Sequence, residues 1–217
     1  MTAGQLLIAG ILAFAAGALI TALLSRRRLL CGWVSFAAAT LGSIWTMLAA
    51  MSVFTDGPIH LETMITTPYF NQDLVLSVDE VSAVFMFITA LLAVASTLFS
   101  VRYMLHYEKY DFLRYYPPLL VFFGSIVALL SVHNLLYFII FWELMTLASW
   151  VLVVFETDSE EASRSALIYF IASHVATCLM IGAVAMLQAY TPGGSFAFAD
   201  LRATIGDLLI TNPALVH

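Results

Sequence analysis

The chain has 217 residues, of which 62% are hydrophobic and only 10% charged, and its mean hydropathy is +0.98. These values lie far outside the range of soluble globular domains and indicate a membrane protein. The formal net charge of −6 comes mostly from acids in the predicted loops, so it identifies no partner. A nucleic-acid-binding surface, which needs clustered positive charge, is not expected.

Six apolar runs are long enough to cross a membrane, because about 20 helical residues span the roughly 30 Å hydrocarbon core. The runs cover about 5–24, 29–53, 80–104, 117–133, 135–155 and 165–190. We therefore predict an all-α, polytopic bundle of about six transmembrane helices. The chain divides into four predicted parts: the first two helices (1–54), a loop (55–79), a four-helix unit (80–190) and an amphipathic interfacial segment (191–217).

Positively charged residues collect on the cytoplasmic flanks of membrane spans, and their positions here predict the orientation. Seven of the eight lie between spans one and two, three and four, or five and six, and one follows span six. We expect a multi-pass protein of the cell inner membrane with a non-cytoplasmic N-terminus. The eight residues are Arg26, Arg27, Arg28, Arg102, Lys109, Arg114, Arg164 and Arg202.

The connections between spans carry two local signals. In the loop, Ile59, Leu61, Leu74, Leu76 and Val78 alternate with other residues at the period of a strand, which predicts a small outer β-hairpin. Between the fourth and fifth spans, the apolar pattern is interrupted by only two residues, a histidine and an asparagine. This short interruption predicts a tight turn and an antiparallel pair of helices.

One carboxylate, Glu143, lies within the fifth predicted span, in the stretch FIIFWELMTLASW. At about 1.5 Å per residue it is some 13 Å from the start of that helix, near the middle of the bilayer. An acid at that depth costs about 2.5–3.5 kcal/mol on insertion scales, so it normally faces a bundle interior or a hydrated cavity. Burial favours the neutral form, which suits a proton carrier. The alternative is a protonated glutamate that joins two helices by a hydrogen bond.

Two further residues are candidates for the same pathway. Thr146 lies three residues after Glu143 on the same helix face and is placed to hold a water beside the carboxylate. His174 reaches a similar depth on the adjacent antiparallel helix and titrates near neutral pH, which suits a relay. A neutral histidine bonded to a neighbouring hydroxyl is an equally good interpretation.

Asp79 and Glu80 open the third predicted helix, where acids cap exposed amides and favour the helix dipole. Capping is therefore the simpler interpretation of Asp79. The two cysteines, Cys31 and Cys178, both fall inside predicted spans, where thiols behave as small apolar side chains. We expect neither a disulfide nor a metal site, and we expect no cofactor on this chain.

The segments VDEVSAVF, HYEKYDFLRYYPPLL, VHNLLYFIIFWELMTLASWVLVVFE and SALIYFIASHVATCLM follow one another between Val78 and Met180. This order resembles the antiporter-like membrane subunits shared by respiratory complex I, Mrp-type sodium/proton antiporters and membrane-bound hydrogenases. WELMTLASWVLVVFE with SHVAT is most similar to the hydrogenase-4 component B and formate hydrogenlyase branch. The resemblance covers residues 75–190 well and the first two helices only in their layout.

The resemblance implies roles for individual residues. Glu143 matches the fifth-helix glutamate held to be central to proton movement, and Asp79 matches the aspartate that opens the third helix. Two features depart from the family pattern: position 168, a lysine in several complex I relatives, is Ile168 here, and the key lysine of a later, broken helix lies beyond the end of this chain. We therefore expect an N-terminal part of such a subunit.

The resemblance implies a membrane subunit of a proton-translocating hydrogenase or complex I-like oxidoreductase that supplies part of a proton pathway through Glu143, His174, Asp79 and Thr146. Its partners are then the other membrane and hydrophilic subunits of the assembly, together with the lipid bilayer. The redox centres are expected on those subunits, because this chain has no cysteine cluster for an iron–sulfur centre. The alternatives are an Mrp-like cation/proton antiporter subunit and a membrane anchor that transports nothing.

Overall fold

The computed structural model describes residues 1–61, 65–67, 72–107, 109–156 and 158–211. Its helices are α1 Ala3–Leu23, α2 Arg28–Asp56, α3 Glu80–Tyr103, α4 Tyr116–Ser131, α5 Leu135–Val153, α6 Glu160–Tyr190 and α7 Phe198–Thr211. The first six are long and apolar enough to cross a membrane, α4 when it is counted together with the 3₁₀ turn that precedes it (Phe112–Ser131). The prediction of an all-α transmembrane bundle is therefore confirmed.

Side-chain caps set several of the helix ends. Asp79 precedes α3 and accepts a hydrogen bond from the backbone N–H of Ser82, and Ser159 does the same for α6 with Ala162. The cap at Ser159 explains why α6 begins about five residues before the predicted span: a polar first turn is helical although it is too charged to lie in hydrocarbon. Short 3₁₀ turns at Met104–His106, Phe112–Arg114 and Pro192–Gly194 complete the connections.

The loop between α2 and α3 contains two small antiparallel ladders rather than one hairpin. β1 (Ile59–His60) pairs with β4 (Ser77–Val78), and β2 (Ile65–Thr67) pairs with β3 (Gln72–Leu74). The β2–β3 ladder is nested inside the β1–β4 ladder in chain order. Positions 62–64 and 68–71 of the predicted hairpin, and 212–217 of the predicted interfacial segment, lie outside the described residues.

The turn between α4 and α5 is as tight as predicted, and it links two other parts of the chain. The backbone N–H of His133 donates to Val75 in the loop, at 3.1 Å. Its carbonyl accepts from the N–H of Phe198 at 3.3 Å, so the same residue also holds the start of α7. The ends of α2, α4 and α6, the starts of α1, α3 and α5, and this turn all lie on one side of the bundle, which we call the outer side.

The core lies among α1, α2, α3 and α4, and α5 packs on α4. Phe14 of α1 is fully buried between α2 and α4, where Gly42 and Gly124 leave room for its ring: a Cβ on Gly124 would be 2.9 Å from the Cβ of Phe14. By contrast, α6 packs mainly on α5, and little of its surface is covered within the chain. The bundle is thus tightly packed among its first four helices, whereas α6 is largely uncovered within the chain.

Replacing Gly17 by alanine should destabilise the fold, because a Cβ at this position in α1 would collide with the Cβ of Ala38 in α2. Overpacking of this kind costs about 1–3 kcal/mol. The matched control is Gly182→Ala in α6, where a Cβ meets nothing within 4 Å. Thermal unfolding in detergent, followed by circular dichroism, should show a lower Tm for Gly17→Ala only. Equal Tm values for the two variants would contradict the close packing of α1 on α2.

Candidate functional site

The candidate site lies where α5 and α6 run antiparallel to each other. Glu143 is the ninth of the 19 residues of α5, so it is about 12 Å from the outer end of that helix. Its Oε2 lies 3.5 Å from Nε2 of His174 on α6, and the two side chains are 27% and 33% exposed. The structure therefore brings together two titratable side chains at the middle depth of the bundle, one from each helix.

The hydrogen bond on the other ring nitrogen fixes how His174 meets the carboxyl group. Nδ1 lies 2.8 Å from the backbone oxygen of Phe170. A carbonyl oxygen only accepts, so we assign the Nδ1 hydrogen to this bond, and in a neutral ring Nε2 is then a bare acceptor. Two acceptors would face each other if Glu143 were ionised while His174 was neutral. The contact is favourable when one proton lies between them, on the carboxyl oxygen or on Nε2.

Aromatic rings fix the position of the imidazole. The ring of Phe170 lies 3.9 Å from that of His174, centroid to centroid, and Trp150 of α5 packs on Phe170 at 5.2 Å. With the bond from Nδ1, this stack restrains both the tilt and the rotation of His174. The nitrogen that faces Glu143 is therefore held by its surroundings, although α6 is largely uncovered.

Thr146 is buried next to Glu143, but its hydroxyl is already engaged within α5. Oγ1 donates to the backbone carbonyl of Glu143 at 3.0 Å, which uses its only hydrogen. The Thr146 oxygen can still accept a hydrogen bond, for which a water or a protonated carboxyl group is a suitable donor. The predicted role of Thr146 in holding a water stays a prediction.

A second polar contact joins the same helices, and sequence reasoning missed it. The hydroxyl groups of Ser149 and Tyr169 lie 2.5 Å apart, on the cytoplasmic side of the Glu143–His174 contact as the predicted orientation defines it. The register of the antiparallel helices could have predicted this contact. Ser149 lies six residues after Glu143, and Tyr169 lies five residues before His174. The interface therefore carries polar groups at two levels.

Asp79 occupies a different place, at the outer end of α3. One carboxylate oxygen accepts the backbone N–H of Ser82 at 2.8 Å. This bond holds the pKa of the carboxyl group below its usual range, because it favours the charged form. Asp79 is thus an ionised helix cap at neutral pH, separate from the α5–α6 interface. Its predicted part in the proton pathway stays a prediction.

The comparisons with known proteins point to one class of membrane subunit. Residues 132–215 match the family described as NADH:quinone oxidoreductase/Mrp antiporter, transmembrane. Hydrogenase-4 component B of Escherichia coli is 33% identical over 144 residues, which are 66% of this chain and 21% of that protein. The chloroplastic NAD(P)H-quinone oxidoreductase subunit 5 of Nephroselmis olivacea is 29% identical over 179 residues, which are 81% and 26% of the two chains. The chain is similar to antiporter-like membrane subunits.

A solved structure shares the fold of this antiporter-like chain. A chain of the membrane-bound sulfane sulfur reductase, an archaeal respiratory membrane complex, superposes with a TM-score of 0.77 at 15% identity and covers 91% of the present chain. The present chain covers 39% of that chain and only about a fifth to a quarter of the curated relatives. The family match includes Glu143, Thr146 and His174, whereas Asp79 lies before it.

The capping role of Asp79 gives a direct prediction. Asp79→Ala should lower the stability of the protein by about 1 kcal/mol, whereas Asp79→Asn should change it little, because asparagine caps helices about as well as aspartate. Thermal unfolding in detergent measures both variants against the wild type. A loss of the same size with asparagine would mean that the charge of Asp79, and not its hydrogen bond to Ser82, stabilises this end of α3.

Proposed function

We propose that the chain forms part of a membrane subunit of a proton-translocating hydrogenase or complex I-like oxidoreductase and supplies part of its transmembrane proton pathway. The observation that carries the proposal is the contact between Glu143 and His174 at mid-depth, 3.5 Å between carboxyl oxygen and imidazole nitrogen. The similarity to hydrogenase-4 component B and to subunit 5 of NAD(P)H-quinone oxidoreductases supports the kind of assembly. These relatives are named as components or subunits of larger complexes.

The chemistry of the pair suits proton transfer. Both groups bind and release protons, and the bond from Nδ1 to Phe170 directs the other nitrogen of His174 toward the carboxyl group. A proton that passes from Glu143 to Nε2 turns a neutral pair into an ion pair without moving either helix. A charged group in this environment is costly unless its partner carries the opposite charge, and this transfer leaves the net charge of the pair unchanged. Thr146 contributes an acceptor beside this step.

The remaining parts of the proposal concern the assembly. Electron transfer belongs to partner subunits, and no cofactor is assigned to this chain. Asp79 is proposed as an outer-side member of the pathway that remains ionised, while Glu143 and His174 carry the proton at mid-depth. The membrane is the cell inner membrane, with the N-terminus on the non-cytoplasmic side.

Substituting Glu143 by glutamine tests the proton-carrier role. Glutamine keeps the shape and hydrogen bonding of the side chain but does not titrate, so the complex should assemble at normal levels with proton translocation largely lost. Glu143→Asp still ionises and should retain part of the activity. His174→Gln should slow transfer without preventing assembly. The measurement is proton uptake into inverted vesicles, normalised to assembled complex.

Two results would reject this role. Wild-type proton uptake by Glu143→Gln would show that the carboxyl group serves helix packing alone. Total uptake that falls only as far as the amount of assembled complex falls, so that the normalised uptake is unchanged, would show the same. The matched control is Gln5→Glu at the outer end of α1, which changes the same side-chain pair in the opposite sense, away from mid-depth. A carboxylate keeps the bond that the Gln5 side chain accepts from the N–H of Thr2, so this variant should transport protons normally.

The proposed orientation is testable by labelling. In a background without Cys31 and Cys178, a single cysteine at Asp56 should react with an impermeant thiol reagent added outside intact cells. Single cysteines at Asp111 and Asp158, both exposed and on the opposite side of the bundle, should react only after the membrane is opened. External labelling of these two with protection of the first would reverse the orientation.

A further inference from the structure

A cavity of about 850 Å³ opens on the outer side of the bundle, away from Glu143 and His174. One wall is the start of α7, with Phe198 and Arg202. Another is the β1–β4 ladder and the first turn of α3, with His60 and Asp79. The turn between α4 and α5 provides the third wall through His133. The volume is far larger than a single ion or a water molecule requires.

Two opposite charges face this cavity without pairing. The carboxylate of Asp79 and the guanidinium of Arg202 are both exposed, and no ion pair joins them, so their charged atoms are more than 4.0 Å apart. Within the part of the chain that the structure describes, the guanidinium group of Arg202 has no hydrogen-bond or ion-pair partner. His60 is already bonded to Ser77, at 2.9 Å. The polar lining thus offers one positive and one negative site and no net charge.

The cavity lies at the level where lipid headgroups meet the protein, because its walls are the outer ends of membrane-spanning helices. Its lining also contains apolar side chains beside the charged ones, namely Leu130, Val132, Phe198, Ala199 and Ala203. A ligand that matches this lining carries both signs of charge and is apolar next to them. A phospholipid with a zwitterionic headgroup has this structure.

We propose that the cavity binds the headgroup of a phosphatidylethanolamine, with its phosphate at Arg202 and its ammonium group at Asp79. Arginine presents several N–H donors to phosphate oxygens, and an ammonium group donates hydrogen bonds to a carboxylate. Choline has the same charge as ethanolamine but no N–H donor, so phosphatidylcholine binds more weakly. An anionic lipid such as phosphatidylglycerol leaves Asp79 without a cationic partner.

Native mass spectrometry of the full chain, released from detergent with equal amounts of the three lipids, tests this assignment. The wild type should retain phosphatidylethanolamine at least fivefold over phosphatidylglycerol, with phosphatidylcholine between them. Arg202→Gln should lose at least fivefold of all retained lipid. Asp79→Asn, which keeps the helix cap, should retain phosphatidylethanolamine and phosphatidylglycerol in a ratio close to one. Circular dichroism checks that each variant is folded.

The controls make the same charge changes on the other side of the membrane. Arg164→Gln and Glu161→Gln alter exposed residues at the start of α6 and should leave the retention pattern unchanged. Equal retention of the three lipids by the wild type, or the same pattern in all variants, would overturn the proposal. Displacement of the lipid by millimolar inorganic phosphate alone would also overturn it and identify a site for a free anion. Retention is read without any transport assay, so its failure leaves the proton pathway untouched.

Discussion

A hydrogen-bond donor in the hydrocarbon core has no water to bond to, so it must find an acceptor within the protein. Most serine and threonine hydroxyl groups here solve this within their own helix. Thr97 donates to the carbonyl of Ala93 at 2.7 Å, and Ser131 donates to that of Val127 at 2.9 Å. Hydroxyl groups satisfied in this way do not join helices, so α1 to α4 associate chiefly by close packing, as small residues permit.

Some hydroxyl groups bond across helices instead: Ser43 of α2 donates to the carbonyl of Ala90 in α3 at 3.0 Å, and further contacts of this kind lie where α5 meets α6. The Glu143–His174 and Ser149–Tyr169 contacts both cross from one helix to the other, and the first involves two titratable groups. The tightly packed part of the bundle provides a fixed support for α5 through α4. The polar contacts form on the side of α5 that faces α6. This division between a packed scaffold and a polar interface is the physical basis for a site at mid-depth.

Much of this arrangement was predictable from the sequence. The six spans follow from hydropathy, because the required length and apolar character leave few alternatives. The depth match of Glu143 and His174 follows from the antiparallel connection of their helices. When a helix is apolar on all sides, its hydropathy does not determine how it is rotated about its own axis. The Ser149–Tyr169 contact was missed for this reason. The outer cavity was missed as well, since Asp79 and Arg202 are more than 100 residues apart in the sequence and line the same cavity because the turn at His133 bonds to both the loop and the start of α7.

The length of α6 has a consequence for the whole interface. Its 31 residues extend over about 46 Å, well beyond the roughly 30 Å of hydrocarbon in a bilayer. The charged first turn, with Glu160 and Glu161, takes up only part of the excess. The remaining excess length is a hydrophobic mismatch, which tilting of α6 or local thickening of the bilayer accommodates. Because α5 has only 19 residues, we expect the two helices to respond differently to bilayer thickness, so that the separation of Glu143 from His174 depends on the membrane around them.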